Sequence, residues 1–373
     1  MYSTKNLISF LFFSLVVLTL NAQVYTTWNE VQTKRFGKET IYISIEDKKP
    51  LNGSYKIAET SGAYADISFN NGKINGTYTS YDFAGNKSSE ANYIDGKING
   101  KQISYFQNGK IQEETRYKNG LKHGIWLTYN RKGKVFRTEQ YKNDKKEGKW
   151  TKELRNVQDN TTSVVIEFYK DNDPTGRWEE RLTDGKLKWE KTYSSPTDYI
   201  KKSYHLNGNI AQELQIKNRR KNCITTYYTP EGILQYKINY DNDHITYEEK
   251  YFENGILESK TSFKYGKRNG AYTKFNEDGV KIQEGKYVDT FKNGIWKTFD
   301  GKKGRQISAL TYKNGKLNGI GKFYNLKSKT VEMEGNYVSG KKNGIWKHYD
   351  ASGELTKEIE FNKGKQISEK TYN

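Results

Sequence analysis

The sequence predicts an all-β chain: an elongated antiparallel β-meander of about thirteen stacked hairpin repeats of ~24 residues, with no helical domain. Three observations predict it. A glycine-rich motif returns along nearly the whole length, and the residues after each return alternate between two faces as strand residues do. The composition also suits sheets and turns, with Tyr 30, Phe 16, Trp 7 and Gly 33 against Pro 4. Hydrophobic content of 34% and a mean hydropathy of −0.99 would by themselves suggest disorder. The aromatic residues reverse that reading, because they are what disordered chains lack.

In chain order, residues 1–22 have the layout of a secretory signal peptide: Lys5 as the charged region, Leu7 to Leu20 as the apolar stretch, and Ala22 before a cut at Gln23. No later stretch is apolar enough to span a bilayer, so the mature chain is expected to lack a transmembrane segment and to be exported, to the periplasm, the outer-membrane periphery or the extracellular space. One cysteine, Cys223, cannot form an intramolecular bridge, so stability must come from packing.

Residues 23–50 are expected to be an atypical N-terminal cap, 51–153 regular repeats, 154–265 degenerate repeats with insertions, and 266–373 regular repeats ending in a cap. The ruler is NGLKHGIWLTYNRKGK, from Asn119. Its second glycine recurs as Gly76, Gly100, Gly124, Gly148, Gly270, Gly294, Gly319 and Gly344. After Gly124, Trp126 and Thr128 share one face while Ile125, Leu127 and Tyr129 share the other. NRKG reads as a turn with Gly133 at positive φ, Val135 to Tyr141 as the return strand, and KNDKKEG as the turn to the next unit. Strands of about 5 to 7 residues follow from this reading. In the middle, Arg219 and Cys223 stand where glycines belong, and the insertions Leu154 to Val165 and Ser194 to Tyr199 are expected to be loops.

Glycine pairs four residues apart can mark a phosphate loop, but such a loop needs a following helix, and here a strand follows at unit after unit. Trp126, Trp150, Trp178, Trp296 and Trp346 share one place in the repeat, where Tyr55, Tyr78 and Tyr272 also occur. That substitution favours a packing layer over a stacking platform for sugars or bases. Glu90, Glu114, Glu139, Glu213, Glu284 and Glu358 recur in the return strand and are expected to pair with Lys or Arg across strands. His123, His205, His244 and His348 show no metal-ligand spacing, and Cys223 reads as a buried, inert thiol. No catalytic set and no cofactor site is expected. Basic residues at the turns, Lys145, Lys146, Lys267, Arg268, Lys341 and Lys342, would form a positive stripe and are the candidate binding residues on a chain of formal charge +19.

The unit G-x-x-x-G-x-W-x-x-Y-x-x-x-G-x-x-x-x-E-x-x-Y occurs at Gly120 to Tyr141 and again from Gly340 through Trp346, Tyr349, Gly353, Glu358 and Phe361. It resembles the MORN repeat, and more closely the MORN-variant repeat of bacterial proteins often labelled antitoxins of toxin–antitoxin systems. The resemblance implies antiparallel sheets of successive hairpins that serve in protein binding, scaffolding and, in some cases, membrane association. With the export signal and the charge, it leads to an exported, non-catalytic binding or scaffold protein of the bacterial cell envelope, engaging an acidic protein or an anionic envelope surface. The alternative is an antitoxin-like inhibitor of one specific toxin. Nucleic acid is disfavoured as a partner by export.

Overall fold

A computed structural model describes residues 22–372 apart from Lys38 and Asp159. Residues 1–21, which hold the expected signal, lie outside the described residues. The chain divides into two compact units at the junction of Gly148 and Lys149. Among the described residues the architecture is all-β in both, relieved by one short 3₁₀ turn, Trp28–Glu30. In the first unit, strand Val24–Thr27 pairs in parallel with Gly53–Ala58, and from there each strand pairs antiparallel with the next, Tyr64–Asn70, Lys73–Tyr81, Lys87–Ile94, and so on. In the second, the same order runs from Thr162–Lys170 to the final strand Lys365–Thr371. Neither sheet closes into a barrel among the described residues.

The unit around Gly124 shows why these residues fold this way. Asn119 and Gly120, at φ 52° and 82°, are the two central residues of a hairpin turn, since Lys118 pairs directly with Leu121. Positive φ at both positions is the type I′ geometry, whose twist matches that of the flanking strands. Gly124 has φ 89° for a different reason. Lys122 still pairs with Tyr117, but the next pairing on that side is Leu127 with Glu114, so Gly124 sits in a bulge that carries extra residues. At the far end Asn130 Oδ1 accepts the backbone N–H groups of Lys132 and Lys134, each at 3.0 Å, and Gly133 closes the loop at φ 89°.

This corrects the expected turn. KNDKKEG is not a seven-residue connection: Asn143 and Asp144 alone make it, and Lys145–Lys146 already pairs with Tyr141 and Lys142. Ladder hydrogen bonds satisfy the backbone there, which a long polar loop would not. The first strands are correspondingly longer than expected, nine residues in Lys73–Tyr81 and in Lys341–Tyr349. The two glycines also have separate duties. The asparagine before the second one reaches forward to the next turn, as Asn119 N–H donates to Asn99 Oδ1 at 3.0 Å and Gly120 N–H to the Ile98 carbonyl at 2.8 Å. The same pair of bonds recurs from Lys363 to Asn343 and from Gly364 to Lys342.

The middle keeps the strand order through residues 154–265. Arg219 accepts the strained conformation of a turn glycine, φ 62° after Asn218 at 52°. The two expected loops shrink. Strand Gly148–Arg155 runs into the first, and Thr162 already begins the next strand. In the second, Ser195 pairs with Asp198, leaving Pro196 and Thr197 as a two-residue turn.

Residues 23–50 depart from the repeat. A separate hairpin, Val31–Phe36 with Glu39–Ser44, follows the 3₁₀ turn. Trp28, Val31 and Tyr42 of the cap pack against buried Leu51, Ile57, Ile67, Phe69 and Ile74, a hydrophobic cluster that the first strands of the repeat region supply. At the other end all seven residues of Lys365–Thr371 are exposed, and lysines there protect the sheet edge from pairing with other chains.

Candidate functional site

Each sheet has two faces with different chemistry. The tryptophans form the packing layer of one. Trp296 and Trp346 are buried (2% and 0% exposed), as is Trp150, whereas Trp126 and Trp178 are half-buried. Tyr272, Tyr287 and Tyr312 surround Trp296 with ring centroids at 5.6, 4.9 and 6.4 Å. Tyr337 and Phe361 flank Trp346 at 4.9 and 6.3 Å. Four of these indole N–H groups also donate to a backbone carbonyl beside the bulge: Trp126 to Arg116 at 3.0 Å, Trp178 to Phe168 at 2.9 Å, Trp296 to Lys286 at 3.1 Å and Trp346 to Asn336 at 3.2 Å. A buried carbonyl missed by the ladder would otherwise cost roughly 1–3 kcal/mol. The tryptophan thus both packs the face and completes the bulge.

The depth of burial follows from the residue beneath. Gly285 and Gly335 have no positive φ, yet a Cβ on either would lie 2.3 and 2.2 Å from the indole of Trp296 and Trp346. Trp126 lies instead over a strand carrying Thr115, and stays half-buried. In one unit the tryptophan position holds Gly321, and Tyr337 and Leu310 fill the space above it, 2.8 and 3.1 Å from where its Cβ would be. Sequence reasoning missed these glycines because it assigned every glycine to a turn; the signal was EGK and EGN inside a return strand.

The candidate basic residues open the first strands. Lys145, Lys267 and Lys341 are exposed, as is Arg268. The next residue along points to the aromatic layer: Lys342 Nζ lies 4.1 Å from the Trp346 ring centroid, and the Arg268 guanidinium 5.5 Å from Tyr287. Lys122 and Lys292 repeat the arrangement over Trp126 and Trp296 at 4.3 and 4.2 Å. Burial pushes the Lys292 and Lys342 ammonium groups below the usual lysine range. Lys146 sits at the same place in its strand and is half-buried. The expected stripe at the turns is therefore divided between an outer row and an inner row of caps on the rings, each cap worth about 0.5–2 kcal/mol.

The opposite face carries the repeated carboxylates, bonded as expected. Glu114 pairs with Lys101 at 2.9 Å, Glu284 with Lys281 and Lys297 at 2.7 and 3.1 Å, and Glu213 with Lys202 at 3.6 Å. A tyrosine from the following unit completes several: Tyr105 donates to Glu90 at 2.8 Å, Tyr349 to Glu334 at 2.9 Å and Tyr372 to Glu358 at 2.7 Å. Hydrogen bonding by Lys87 and Tyr105 holds Glu90 below the ordinary carboxylate range, while burial pushes Tyr105 up. Glu139 departs from the row. It pairs with Trp126 across the ladder, on the aromatic face, where it is buried beside Arg137 and accepts from Tyr141 at 2.9 Å.

Asp300 shows the loop chemistry in titratable form. Its carboxylate accepts Lys303 and Lys302 N–H and the Arg305 Nε–H, at 2.5, 3.1 and 2.8 Å. These bonds, the Lys303 N–H foremost, lower it to about 2. A carboxylate depressed on folding contributes stability that is fully present above the unfolded value of about 3.9 and is lost as pH falls through the folded one. The Lys302 and Lys303 amide resonances are expected to titrate near pH 2, and Asp300→Asn to remove that titration; NMR between pH 1.5 and 5 checks it.

Among the described residues no group of three or more His, Cys, Asp and Glu side chains is arranged to hold a metal ion, and no helix is long and apolar enough to cross a membrane. His123 faces Asn143 at 3.2 Å, and His348 is half-buried and pushed down by burial. Cys223 is half-buried rather than buried: it occupies the bulge, where its thiol donates to the Gln215 carbonyl at 2.8 Å. A recess of about 750 Å³ in the N-terminal cap is lined by Tyr25, Glu30, Ile45 and Asp47. Two of its carboxylates are engaged locally, Glu30 by Thr26 at 2.6 Å and Asp47 by Lys49 N–H at 3.1 Å.

No curated protein matches the sequence. Among solved structures, a porin-like protein from Bacteroides uniformis ATCC 8492 aligns at 12% identity over 64% of this chain and 90% of that chain, with a TM-score of 0.18. TcdB2-TccC3 aligns at 12% identity over 87% of this chain and 18% of that one, also at 0.18. Scores this low support no reading of fold or function. The MORN repeat variant matches residues 98–119, 122–143, 200–218, 224–242 and 342–363. The first, second and last of these segments coincide with the bulge, aromatic layer and hairpin turns described above, and the third and fourth fall in the middle units where Arg219 and Cys223 replace glycines. The chain is a protein of MORN-variant repeats.

Proposed function

We propose that the protein is an exported, non-catalytic repeat scaffold of the bacterial cell envelope that binds an acidic protein partner. One observation carries the binding reading. Ile295, Ile320 and Ile345 each follow the second glycine of a unit and are 58%, 57% and 55% exposed. They lie on the face away from the tryptophans, opposite Thr311, Asn336 and Glu360 in the ladder. Successive isoleucines are two strands apart, about 10 Å. Scattered exposed apolar residues need no explanation, but a row held in one register by the repeat is a surface. Lys297, Lys322 and Lys347, two residues further along the same strands, are paired with Glu284, Glu334 and Glu358, so the attraction to an acidic partner comes from the formal charge of +19 as a whole. The N-terminal layout supports export, and an envelope-fraction product beginning at Gln23 is its expected signature.

Replacing all three isoleucines with serine is expected to lower partner capture about 100-fold, at roughly 1 kcal/mol each. The melting profile should stay near wild type, because exposed substitutions change stability by about 0.5 kcal/mol or less. Pull-downs from envelope fractions at low and moderate salt check it. Equal capture by both proteins, or no partner at either salt, would sink the reading. Recovery of one small toxic protein would turn it toward an antitoxin-like inhibitor.

A further inference from the structure

Lys191 and Lys201 face each other directly across the antiparallel strands Leu187–Ser195 and Asp198–Tyr204. Side chains so placed have Cβ atoms about 5 Å apart, and like charges there are destabilising. Lys322, by contrast, faces Glu334 directly, and where Lys101 faces Arg116 the two cations share Glu114, at 2.9 and 3.7 Å. Here, among the described residues, neither ammonium has a carboxylate partner. Glu167 is the acid that Lys191 senses, and it is already engaged by Tyr169 at 3.0 Å and Lys152 at 3.7 Å.

The two ammonium groups rest instead among rings. Lys191 Nζ is 5.0 Å from the Tyr199 centroid, 5.7 Å from Trp189 and 6.0 Å from Trp178, while Lys201 Nζ is 5.9 Å from Trp189. Lys191 lies opposite Trp178, the ladder place that Ala91 holds opposite Tyr78 and Gly285 opposite Tyr272. The repeat thus does not require a cation at this position: opposite Trp126, Trp296 and Trp346 it holds Glu139, Leu310 and Ile359. Burial and the neighbouring Lys201 both push the Lys191 ammonium downward, which is what an unneutralised pair produces.

We propose that Lys191 and Lys201 form an anion site that takes the carboxylates of an acidic protein segment. The inference rests on the reading that the partner is an acidic protein, and it assigns that partner a second contact apart from the isoleucine row. Two fixed cations match two carboxylates on one extended segment, whose alternate side chains share a face about 6.8 Å apart. The exposed parts of Trp189 and Tyr199 offer an apolar surface to the carboxylates' aliphatic stems. Bound carboxylates would relieve the repulsion that the free protein carries.

The test uses the mature chain and hexaglutamate, followed by tryptophan fluorescence. Saturable, salt-sensitive quenching is expected, weakened about tenfold or more in Lys191→Gln/Lys201→Gln. Removing the same charge from the exposed Lys363 and Lys365 should leave it within about threefold. Lys201→Gln alone is expected to raise the melting temperature by about 1–3 °C while weakening binding, because it removes a like-charge neighbour. A purely structural lysine would do the reverse. Unchanged binding in the double variant, or a lowered melting temperature in Lys201→Gln, overturns the proposal. Tighter binding of inorganic phosphate than of hexaglutamate overturns the acidic segment as occupant. This titration needs no identified partner, so its failure leaves the isoleucine row standing, and a failed pull-down leaves this site untouched.

Discussion

Trp346→Ala is expected to unravel the C-terminal strands while leaving the repeats before them folded. Trp346 is fully buried, between Tyr337 and Phe361, with Lys342 capping its ring and its N–H on the Asn336 carbonyl. Truncating a buried tryptophan costs roughly 3–5 kcal/mol, and the carbonyl beside the bulge would lose its donor as well. In a repeat array stability is a sum of unit and nearest-neighbour terms, so the loss stays local. Among the described residues, the strands after that of Trp346 are Leu355–Asn362 and Lys365–Thr371, the latter exposed at all seven residues. Hydrogen exchange should show amides from 341 to 371 losing protection while those of Phe291–Phe299 and Gln306–Lys313 keep theirs. Trp126→Ala, made at a half-buried ring, should cost clearly less. A uniform loss of protection along the chain, or equal costs at the two sites, would show that the tryptophans do not act as local rivets.

Much of this was legible in the sequence because a repeat averages out local ambiguity. The two-face alternation after Gly124, the aromatic layer, the loop glycine Gly133 and the lysine–glutamate ladder all follow from residue type and period. Register was harder to read. A two-residue turn and a seven-residue loop look alike when both are written KNDKKEG, and the difference is decided by ladder bonds made with a neighbouring strand. That is why Lys145, Lys146, Lys267, Arg268, Lys341 and Lys342 were expected at turns and lie in strands. Glu139 was grouped with the other carboxylates for a related reason: it falls one residue out of their register, which sends a side chain to the opposite face. The Lys191 and Lys201 pair was invisible, because the two lysines lie ten positions apart and only the pairing of strands sets them face to face.

The glycines that sequence reasoning passed over give the sharpest test of how the aromatic layer is fitted. Gly335→Ala is expected to destabilise the C-terminal repeats by about 1–3 kcal/mol, the range for overpacking a filled site. The position has no unusual φ, so the substitution is free of backbone strain and in an open strand would be slightly favourable. The added methyl would lie within 2.4 Å of three indole atoms of Trp346, closer than any real contact, so the ring must move. Moving it breaks the Asn336 hydrogen bond and lifts the indole from Tyr337. The effect should therefore depend on the ring. In Trp346→Leu, a smaller side chain leaves room, and adding Gly335→Ala to that background should cost far less than it does in the wild type. Residues in contact show such non-additivity, so a double-mutant cycle read by denaturant unfolding and local hydrogen exchange measures it directly. Additive costs would mean that the methyl is accommodated by the strand and that the glycine does not set the depth of the tryptophan. Gly285 beneath Trp296 provides the internal replicate, since its Cβ would lie 2.3 Å from that indole, and the same cycle there should give a coupling of the same sign.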